Sequence, residues 1–556
     1  MKLVECVPNF SEGRDRTKVE AIADAISRVA GATLLDVDIG AATNRTVITF
    51  VGSPDAASEA AFQAIKKAYE VIDMSKHTGE HPRQGACDVC PFVPVSGVTM
   101  AECVELAHRL GRRVGEELGL PGYFYEEAAL NESRRNLADI RAGEYESLPE
   151  KIKSENWKPD FGPAEFNPRF GAVTIGAREF LIAYNINFNT RNKNLVHDIA
   201  MNIREKGRYL KDENDKFLRD ESGEKLKKKG LFKCIKAIGW YIEEYSCAQL
   251  SINFTNYKVT PVHIVFDEVC RQAEERGLRV TGSELVGLMP KAALMEAGIY
   301  YLRKQKGSSL GLSEREIIDI AVKSLGLNDL VPFNAEKKII EYCVREKRPL
   351  IEKTVSDFAD ILASDAPAPG GGSVAALCGG LSAALSAMVA NLTVGKKGYN
   401  GVWEELSELA FRAQRLKEFF VSAIDDDTKA FNKVMESFGI KAKSDEEKAL
   451  KKRAIEEATK EATLVPLSVL ERTEEAIELA EVVAKKGNRN SLSDAGVGAL
   501  CARTAADGAY YNVLINLKSI EDESFKRDVR NRASTILSRV REKATEIAAI
   551  VEDGIG

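Results

Sequence analysis

No excess of charge marks this 556-residue chain: 78 lysines and arginines stand against 84 aspartates and glutamates, a formal net charge of -6. That balance supplies neither the basic face that holds nucleic acid nor an acidic tail, so no nucleic-acid partner is expected. Cysteine is too sparse for a disulfide scaffold. The ten cysteines are scattered from Cys6 to Cys501, mostly inside apolar runs, and a reducing, cytoplasmic setting is expected. A targeting segment is also missing, because Met1-Lys-Leu-Val-Glu-Cys6 places an acid where a signal sequence needs apolar residues; the mature chain is expected to begin at Met1. The best candidate for a membrane span is Ser373 to Thr393, uncharged over about the length that crosses a bilayer. Gly379, Gly380, Ala383, Ala384 and Ala387 give it the small residues of close helix packing, so a bundle interior and no membrane is the expectation.

What is present is a soluble composition, 44% apolar and 29% charged, in a chain too long for one core, so two to four domains are expected. Residues 1–180 alternate strand and helix signals. Lys2 to Val7 reads as a strand, Ser11 as a cap for the helix carrying Val19, Ile22, Ala23, Ile26, Val29 and Ala30, and Thr33–Ile39 and Arg45–Val51 as strands joined by a short turn. Helices over Ala56–Ile72 and Met100–Leu118 and a strand over Asp88–Val95 complete a sheet covered by helices on one face. The same order recurs over 181–333, with strands near Cys234–Tyr241 and Cys247–Phe254 and a helix at Val262–Arg276. A densely charged stretch at 205–230, ending in Lys227, Lys228 and Lys229, interrupts it and reads as a solvated surface insertion. After a linker at 334–354, β signals nearly vanish, and 355–556 reads as an all-α helical bundle entered through Ala366-Pro-Ala-Pro-Gly-Gly-Gly372.

The densest polar run is His77-Thr-Gly-Glu-His81-Pro-Arg-Gln-Gly-Ala-Cys87-Asp-Val-Cys90, a loop by its Pro82 and Gly85. Its two histidines and two cysteines are zinc-ligand types, but the zinc-deaminase spacing is absent: Glu80 is three residues after His77, and Ala86, not proline, precedes Cys87. Cys90 lies in a strand run where a small apolar side chain suffices, and no metal is expected. His81 is either polar surface or a general base near neutral pH. In the helix around Leu416–Val434, the residues Leu416, Phe419, Ala423, Ala430 and Val434 form an apolar seam whose missing position is Asp427, with Asp425 and Asp426 pointing away. A carboxylate there is either a core aspartate satisfied by its neighbours or an acid of raised pKa. Gly370-Gly-Gly-Ser373 lacks the ending of a phosphate loop, and a Ser373 N-cap explains it without a ligand.

Taken together these residues resemble the formiminotransferase-cyclodeaminase family. Leu3-Val-Glu-Cys-Val-Pro-Asn-Phe-Ser-Glu-Gly13, Leu34-Leu-Asp-Val-Asp38, Asn44-Arg-Thr46, Gly79-Glu-His-Pro-Arg83, Asp88-Val-Cys-Pro-Phe92, Asp160-Phe-Gly-Pro163, the run from Gly176 to Asn187, and Ile238-Gly-Trp-Tyr241 are similar to the transferase. Ala368-Pro-Gly-Gly-Gly-Ser-Val-Ala-Ala376, Asp427 to Phe431, and the run from Gly508 to Lys518 are similar to the cyclodeaminase. The resemblance covers nearly the whole chain. It implies two ferredoxin-like α+β subdomains followed by the helical domain, and transfer of a formimino group from N-formimino-L-glutamate to polyglutamylated tetrahydrofolate, then ring closure with loss of ammonia. It places the catalytic histidine at His81 and the cyclodeaminase acid at Asp427. It places folate contacts at Gly162, Pro163, Ala164, Glu165, Phe166, Asn167, Pro168, Arg169, Phe170 and Gly171. Asp38 is expected to orient or charge-balance the transferase site and Arg83 to pair with the glutamyl carboxylate. A homo-oligomer, a ring of dimers, is implied, and the charged stretch Arg208–Lys229 departs from the family pattern.

Two rival readings keep the folds. One is a formyl-transferring first half or a methenyltetrahydrofolate cyclohydrolase second half, separable by comparing formimino and formyl donors. The other is a folate-binding scaffold without catalysis, which the presence of both His81 and Asp427 disfavours.

Overall fold

The computed structural model describes residues 2–41, 44–79, 82–213, 216–344 and 348–556. Strands β1 (Leu3–Cys6) and β2 (Asn9–Phe10) share one position in the first sheet, each pairing antiparallel with β4 (Arg45–Gly52) and β5 (Cys87–Ser96). Pro8, with no N–H to donate, sits at the break between them. β3 (Ala32–Gly40) flanks β4, while β6 (Gly122–Glu126) and β7 (Val173–Ala177) extend the sheet in the order β5-β7-β6, parallel to β5. Helices α1 (Arg16–Ser27), α2 (Pro54–Val71) and α3 (Met100–Leu118) cover one face and enclose Phe10, Ile48, Phe50, Phe92 and Phe124. Each such side chain contributes roughly 1.5–3 kcal/mol by leaving water.

Two local expectations are corrected. Asp15, not Ser11, caps α1, its carboxylate accepting from Thr17 N–H; Ser11 is buried and its hydroxyl donates to Gly85 O at 2.8 Å. The sheet is also not covered on one face alone. The short helices α4 (Leu137–Ile140) and α5 (Glu144–Lys151) lie over the other face at the β5-β7-β6 end, where Ile140 and Leu148 pack with Val89, Tyr123 and Tyr125.

The second sheet repeats the plan. β8 (Ile182–Phe188), α6 (Lys193–Ile203), then, after the charged stretch with its small ladder of β9 (Arg208–Tyr209) and β10 (Lys227–Lys228), β11 (Ile235–Ile242), β12 (Cys247–Phe254), α7 (Val262–Glu274) and β13 (Val280–Val286) follow in sequence. The strand order β11-β12-β8-β13 is antiparallel throughout and matches β3-β4-β1-β5 of the first sheet. The charged stretch is mostly exposed, as a solvated insertion should be, yet it is not featureless: Tyr209 meets Phe217 edge to face and Lys225 lies over the Phe217 ring.

Helices α8 (Lys291–Lys304), α9 (Glu314–Leu325), α10 (Ala335–Lys338), α11 (Ile340–Cys343) and α12 (Val355–Leu362) precede a bundle of α13 (Gly371–Asn391), α14 (Trp403–Phe438), α15 (Asp445–Lys486), α16 (Leu492–Leu517) and α17 (Glu523–Ile555). The chain divides into two compact units, residues 1–297 with 325–345, and 298–324 with 346–556. Residues 298–324, counted with the second α+β segment on sequence pattern, thus pack with the helical unit: Leu310 N–H donates to Ser407 Oγ and Asn391 Nδ2 donates to Gly311 O.

α13 is long and apolar enough to cross a membrane by length and composition, but most of it is buried among α14, α15 and α16. Its glycines are required by the packing, since a Cβ at Gly379 would run into the Phe420 ring. The seam of α14 is shifted from the expected one. Leu416, Phe420, Ala423, Ile424 and Asp425 are buried, whereas Ala430 and Val434 are half-buried. Asp425, expected to point away, accepts hydrogen bonds from Leu350 N–H at 3.0 Å and Ile351 N–H at 3.2 Å, which is how its burial is tolerated.

Candidate active sites

The first candidate site is assembled on loops. The segment after α2 turns through a short 3₁₀ helix at Met74–Lys76 into the polar run, where His77 is pinned at both ring nitrogens. Its Nδ1 lies 3.3 Å from Arg83 Nε, which donates, so Nε2 carries the hydrogen and donates to Asn44 O at 3.0 Å. Burial pushes the His77 pKa down, against its bond to Asn44. A neutral imidazole with both nitrogens engaged is a brace, not a proton carrier. His81 itself lies outside the described residues.

Around that run the sheet supplies a buried charge cluster. Asp88 accepts from Arg45 Nη1 at 2.6 Å, from Arg141 and from Gln84 N–H, and Arg45 also reaches Asn9 Oδ1. Arg83 is almost buried and committed to acids: Nη1 meets Glu144 at 2.9 Å and Nη2 meets Glu146 at 2.7 Å. Both partners are acids of the same chain, and Arg83 borders the depression beside them. His77, Thr78, Gly79, Arg83, Gly143, Glu144 and Glu146 line an open depression of about 490 Å³. Asp38 stands exposed on β3 opposite Val47, whose other neighbour is Asn9; residues in direct register share a face, so Asp38 lies across the sheet from Asn9.

The stretch Gly162–Gly171 runs beside this loop. Gly171 pairs with Gly85, and both Gly162 (φ 75°) and Gly171 (φ 78°) adopt left-handed backbone where a Cβ would overlap the carbonyls of Leu120 and Gln84. Asn167 Oδ1 accepts from the N–H groups of Arg169 and Phe170, Tyr145 OH donates to Pro168 O, and Phe170 is buried against Tyr69. Pro163, Ala164 and Glu165 remain exposed and Phe166 is half-buried. The structure thus gathers this stretch with Arg83 and the flanks of His81. Cys87 and Cys90 are packing thiols in the core beneath the helices, and burial pushes the Cys87 thiol well up. One group that sequence reasoning missed is Glu5. It is buried in β1 between Val51 and Val93, and burial pushes its carboxyl up to about 7 against the charge of Arg178.

The second candidate site is built on helices. Asp427 of α14 lies against the N-terminus of α13, where a Cβ at Gly372 would overlap its carboxylate. Ser373 Oγ is 3.1 Å from Asp427 Oδ2 and donates at 2.9 Å to Ile424 O. Burial holds the Asp427 carboxyl above its usual range, against hydrogen bonds from Ser373 that pull it down. Asn512 of α16 borders Gly371, with its amide held by Gly508 O at 2.8 Å. Three separated segments, 370–373, 427–428 and 508–512, therefore converge. Ser373 is not the N-cap; Gly370 occupies that position without a side-chain bond, and the serine hydroxyl faces α14 instead. No group of three metal-ligating side chains occurs among the described residues.

A helical bundle with a carboxyl of raised pKa at its helix junction, in one chain with two α+β sheets, the first of which carries a polar loop, is the architecture of a two-part enzyme. Three family profiles match: "Formiminotransferase domain, N-terminal subdomain" over residues 3–178, "Formiminotransferase domain" over 183–345 and "Formiminotransferase-cyclodeaminase" over 354–535. A formimidoyltransferase-cyclodeaminase of Gallus gallus is 44% identical over 554 residues, 99% of each chain. The glutamate formimidoyltransferase of Thermoplasma acidophilum is 44% identical over 319 residues, 57% of this chain and 98% of its own. The methenyltetrahydrofolate cyclohydrolase of Methylorubrum extorquens is 44% identical over 176 residues, 32% of this chain and 85% of its own. The chain belongs to the formimidoyltransferase-cyclodeaminase family.

Proposed function

We propose that the first unit transfers the formimino group of N-formimino-L-glutamate to tetrahydrofolate and that the helical unit closes the product to 5,10-methenyltetrahydrofolate, a sequence that serves histidine degradation. In the first reaction folate N5 attacks the amidine carbon, a base takes the N5 proton and returns it to the glutamate nitrogen, and the carbon–nitrogen bond to glutamate breaks with its electron pair on that nitrogen. His81 is assigned that role; His77, held at both nitrogens, is not available for it. Gly162–Gly171 is assigned the folate contacts, and Asp38 the role of orienting or charge-balancing the transferase site. In the second reaction N10 attacks the formimino carbon and its proton passes to the formimino nitrogen, which takes a second proton from Asp427 and leaves as ammonia.

The observation that carries this reading is Asp427, a carboxyl held above its usual pKa at the point where three helices converge. A coupled assay of methenyltetrahydrofolate absorbance and ammonia tests it. His81→Ala is expected to make neither product and Asp427→Ala to stop at formiminotetrahydrofolate; ammonia release by Asp427→Ala at the wild-type rate overturns the assignment. The cyclohydrolase relative favours one alternative, a helical unit acting on the methenyl product itself. Faster hydrolysis of added methenyltetrahydrofolate than its formation from formiminotetrahydrofolate would establish it, and a preference for formyl over formimino donors would show the corresponding change in the first half.

Other features belong to the same proposal. The shared βαββαβ order supports two ferredoxin-like subdomains within 1–180 and 181–333; the helical unit, read as a cyclodeaminase at 355–556 after a linker at 334–354, also takes in residues 298–324. Exposed Leu381 and Met388 of α13 and Leu500 and Ile515 of α16 are apolar surface of the kind that self-association covers, in keeping with a homo-oligomer. A cytoplasmic location and a polyglutamylated folate without a metal complete the reading.

A further inference from the structure

We propose that Ser373 is a positioning residue for proton delivery by Asp427, its single hydroxyl hydrogen moving between Ile424 O and the Asp427 carboxyl as that carboxyl loses and regains its proton. This rests on the reading of Asp427 as the acid of ring closure. Ser373 is fully buried in the first turn of α13, and its Oγ has three oxygens in reach: Ile424 O at 2.9 Å, Asp427 Oδ2 at 3.1 Å and Thr428 Oγ1 at 3.5 Å.

A hydroxyl has one hydrogen to give and two lone pairs to offer. With Asp427 protonated, the carboxylic O–H donates to Ser373 Oγ and the serine hydrogen rests on Ile424 O, so every group is satisfied. With Asp427 ionised, the carboxylate and the carbonyl compete for one hydrogen. The charge-assisted bond is about twice as strong, so the hydroxyl turns to Oδ2, while Ile424 O keeps the helical bond of its own turn. The step balances: the carbon–nitrogen electron pair stays on the departing nitrogen, the Asp427 proton joins it, ammonia leaves, and the carboxylate so formed receives the serine hydrogen bond until solvent returns the proton.

The surroundings leave Ser373 as the governing partner. Burial raises the Asp427 carboxyl, and both the hydroxyl and the backbone N–H of Ser373 lower it. Asp425 is turned to the Leu350 and Ile351 amides, and Asn512 is neutral and bound to Gly508 O. Gly372 lets the carboxylate rest directly on the helix backbone, fixing its distance to the hydroxyl.

The test is the pH profile of ring closure in the full-length chain for wild type, Ser373→Ala, Ser373→Thr and Asp427→Asn, with formimino transfer and helical content as controls of folding. Ser373→Ala is expected to lower kcat about tenfold and to move the high-pH limb up by roughly one pH unit, because the ionised acid loses the hydroxyl donor and keeps only the backbone N–H of residue 373. Ser373→Thr, which keeps the hydroxyl, should hold the wild-type limb. A Ser373→Ala enzyme whose rate falls evenly at all pH values, or a Ser373→Thr enzyme with a displaced limb, overturns the inference. Full ring closure by Asp427→Asn would instead overturn the underlying reading of the acid.

Discussion

The two sites of this chain are held by different means. Around the transferase loop, positions are set by ion pairs and backbone carbonyls drawn from segments far apart in sequence: Arg83 with Glu144 and Glu146, Asn44 with Thr78, Gly85 with Gly171. Around Asp427, three helices approach closely because glycine and serine stand where they meet. A loop site depends on many weak restraints, each partly replaceable, whereas a helix site depends on few contacts in a packed interior with little room to relax. Substitutions should therefore be graded at the first site and abrupt at the second.

The largest effect is expected at Asp427. Asp427→Asn keeps the shape and removes the proton, so ring closure should fall by about 10²–10⁴-fold with formimino transfer unchanged, read as accumulation of formiminotetrahydrofolate. Equal loss of both activities would break the contrast by showing that the two units fail together. Next comes Gly372→Ala, since its Cβ would occupy the place of the Asp427 carboxylate. Displacement of a catalytic group by about 1 Å costs about 100-fold, and ring closure should fall by that order while the fold persists, measurable by the same assay beside circular dichroism.

How much of this was legible differs between the sites for a physical reason. The alternation of strands and helices exposed the repeated βαββαβ plan, a local pattern that tertiary structure preserved, whereas helical periodicity singled out Asp427 from a seam that the packing of α14 shifts toward Phe420, Ile424 and Asp425. Asp425 was misread because its partners, the Leu350 and Ile351 amides, come from a segment with no periodic signature. Ser373 was legible as a helix-start residue but not as a partner of α14, since that contact depends on how two helices meet. Arg83 shows the same limit at the loop site. Nothing local to Gly79–Arg83 announces the ion pairs with Glu144 and Glu146.

Glu5 sharpens the comparison through stability. Its carboxyl is raised from 4.5 to about 7 by burial, so between those values the folded chain binds more protons than the unfolded one. Stability is then full below about pH 4.5 and is lost as pH rises through about 7, a loss of no more than about 3 kcal/mol and nearer 2 once a compact denatured state is allowed for. Glu5→Gln should accordingly raise the melting transition of the first unit at pH 8 and leave it unchanged near pH 4.5. A variant that melts lower at pH 8 would mean that the charge of Glu5 is stabilising, contrary to its burial.

The smallest effect is expected at Arg83, and it bears most directly on how the loop site works. Arg83 itself is shielded, but Glu144 is half-buried and Glu146 exposed, so solvent screens both pairs and each contributes at most about 1 kcal/mol. Arg83 holds the Glu146 carboxyl below its usual range, and its contribution is therefore present at neutral pH and lost as pH falls through that lowered value. Arg83→Ala should lower the melting temperature of the first unit slightly at pH 7, with a smaller difference at pH 3. The KM for N-formiminoglutamate should stay within about threefold of wild type, because an arginine already paired with two acids has no free face for a third carboxylate. A KM raised tenfold or more, with the melting temperature unchanged, would instead mean that Glu144 and Glu146 yield to the substrate, and the loop would then be a binding element rather than a brace.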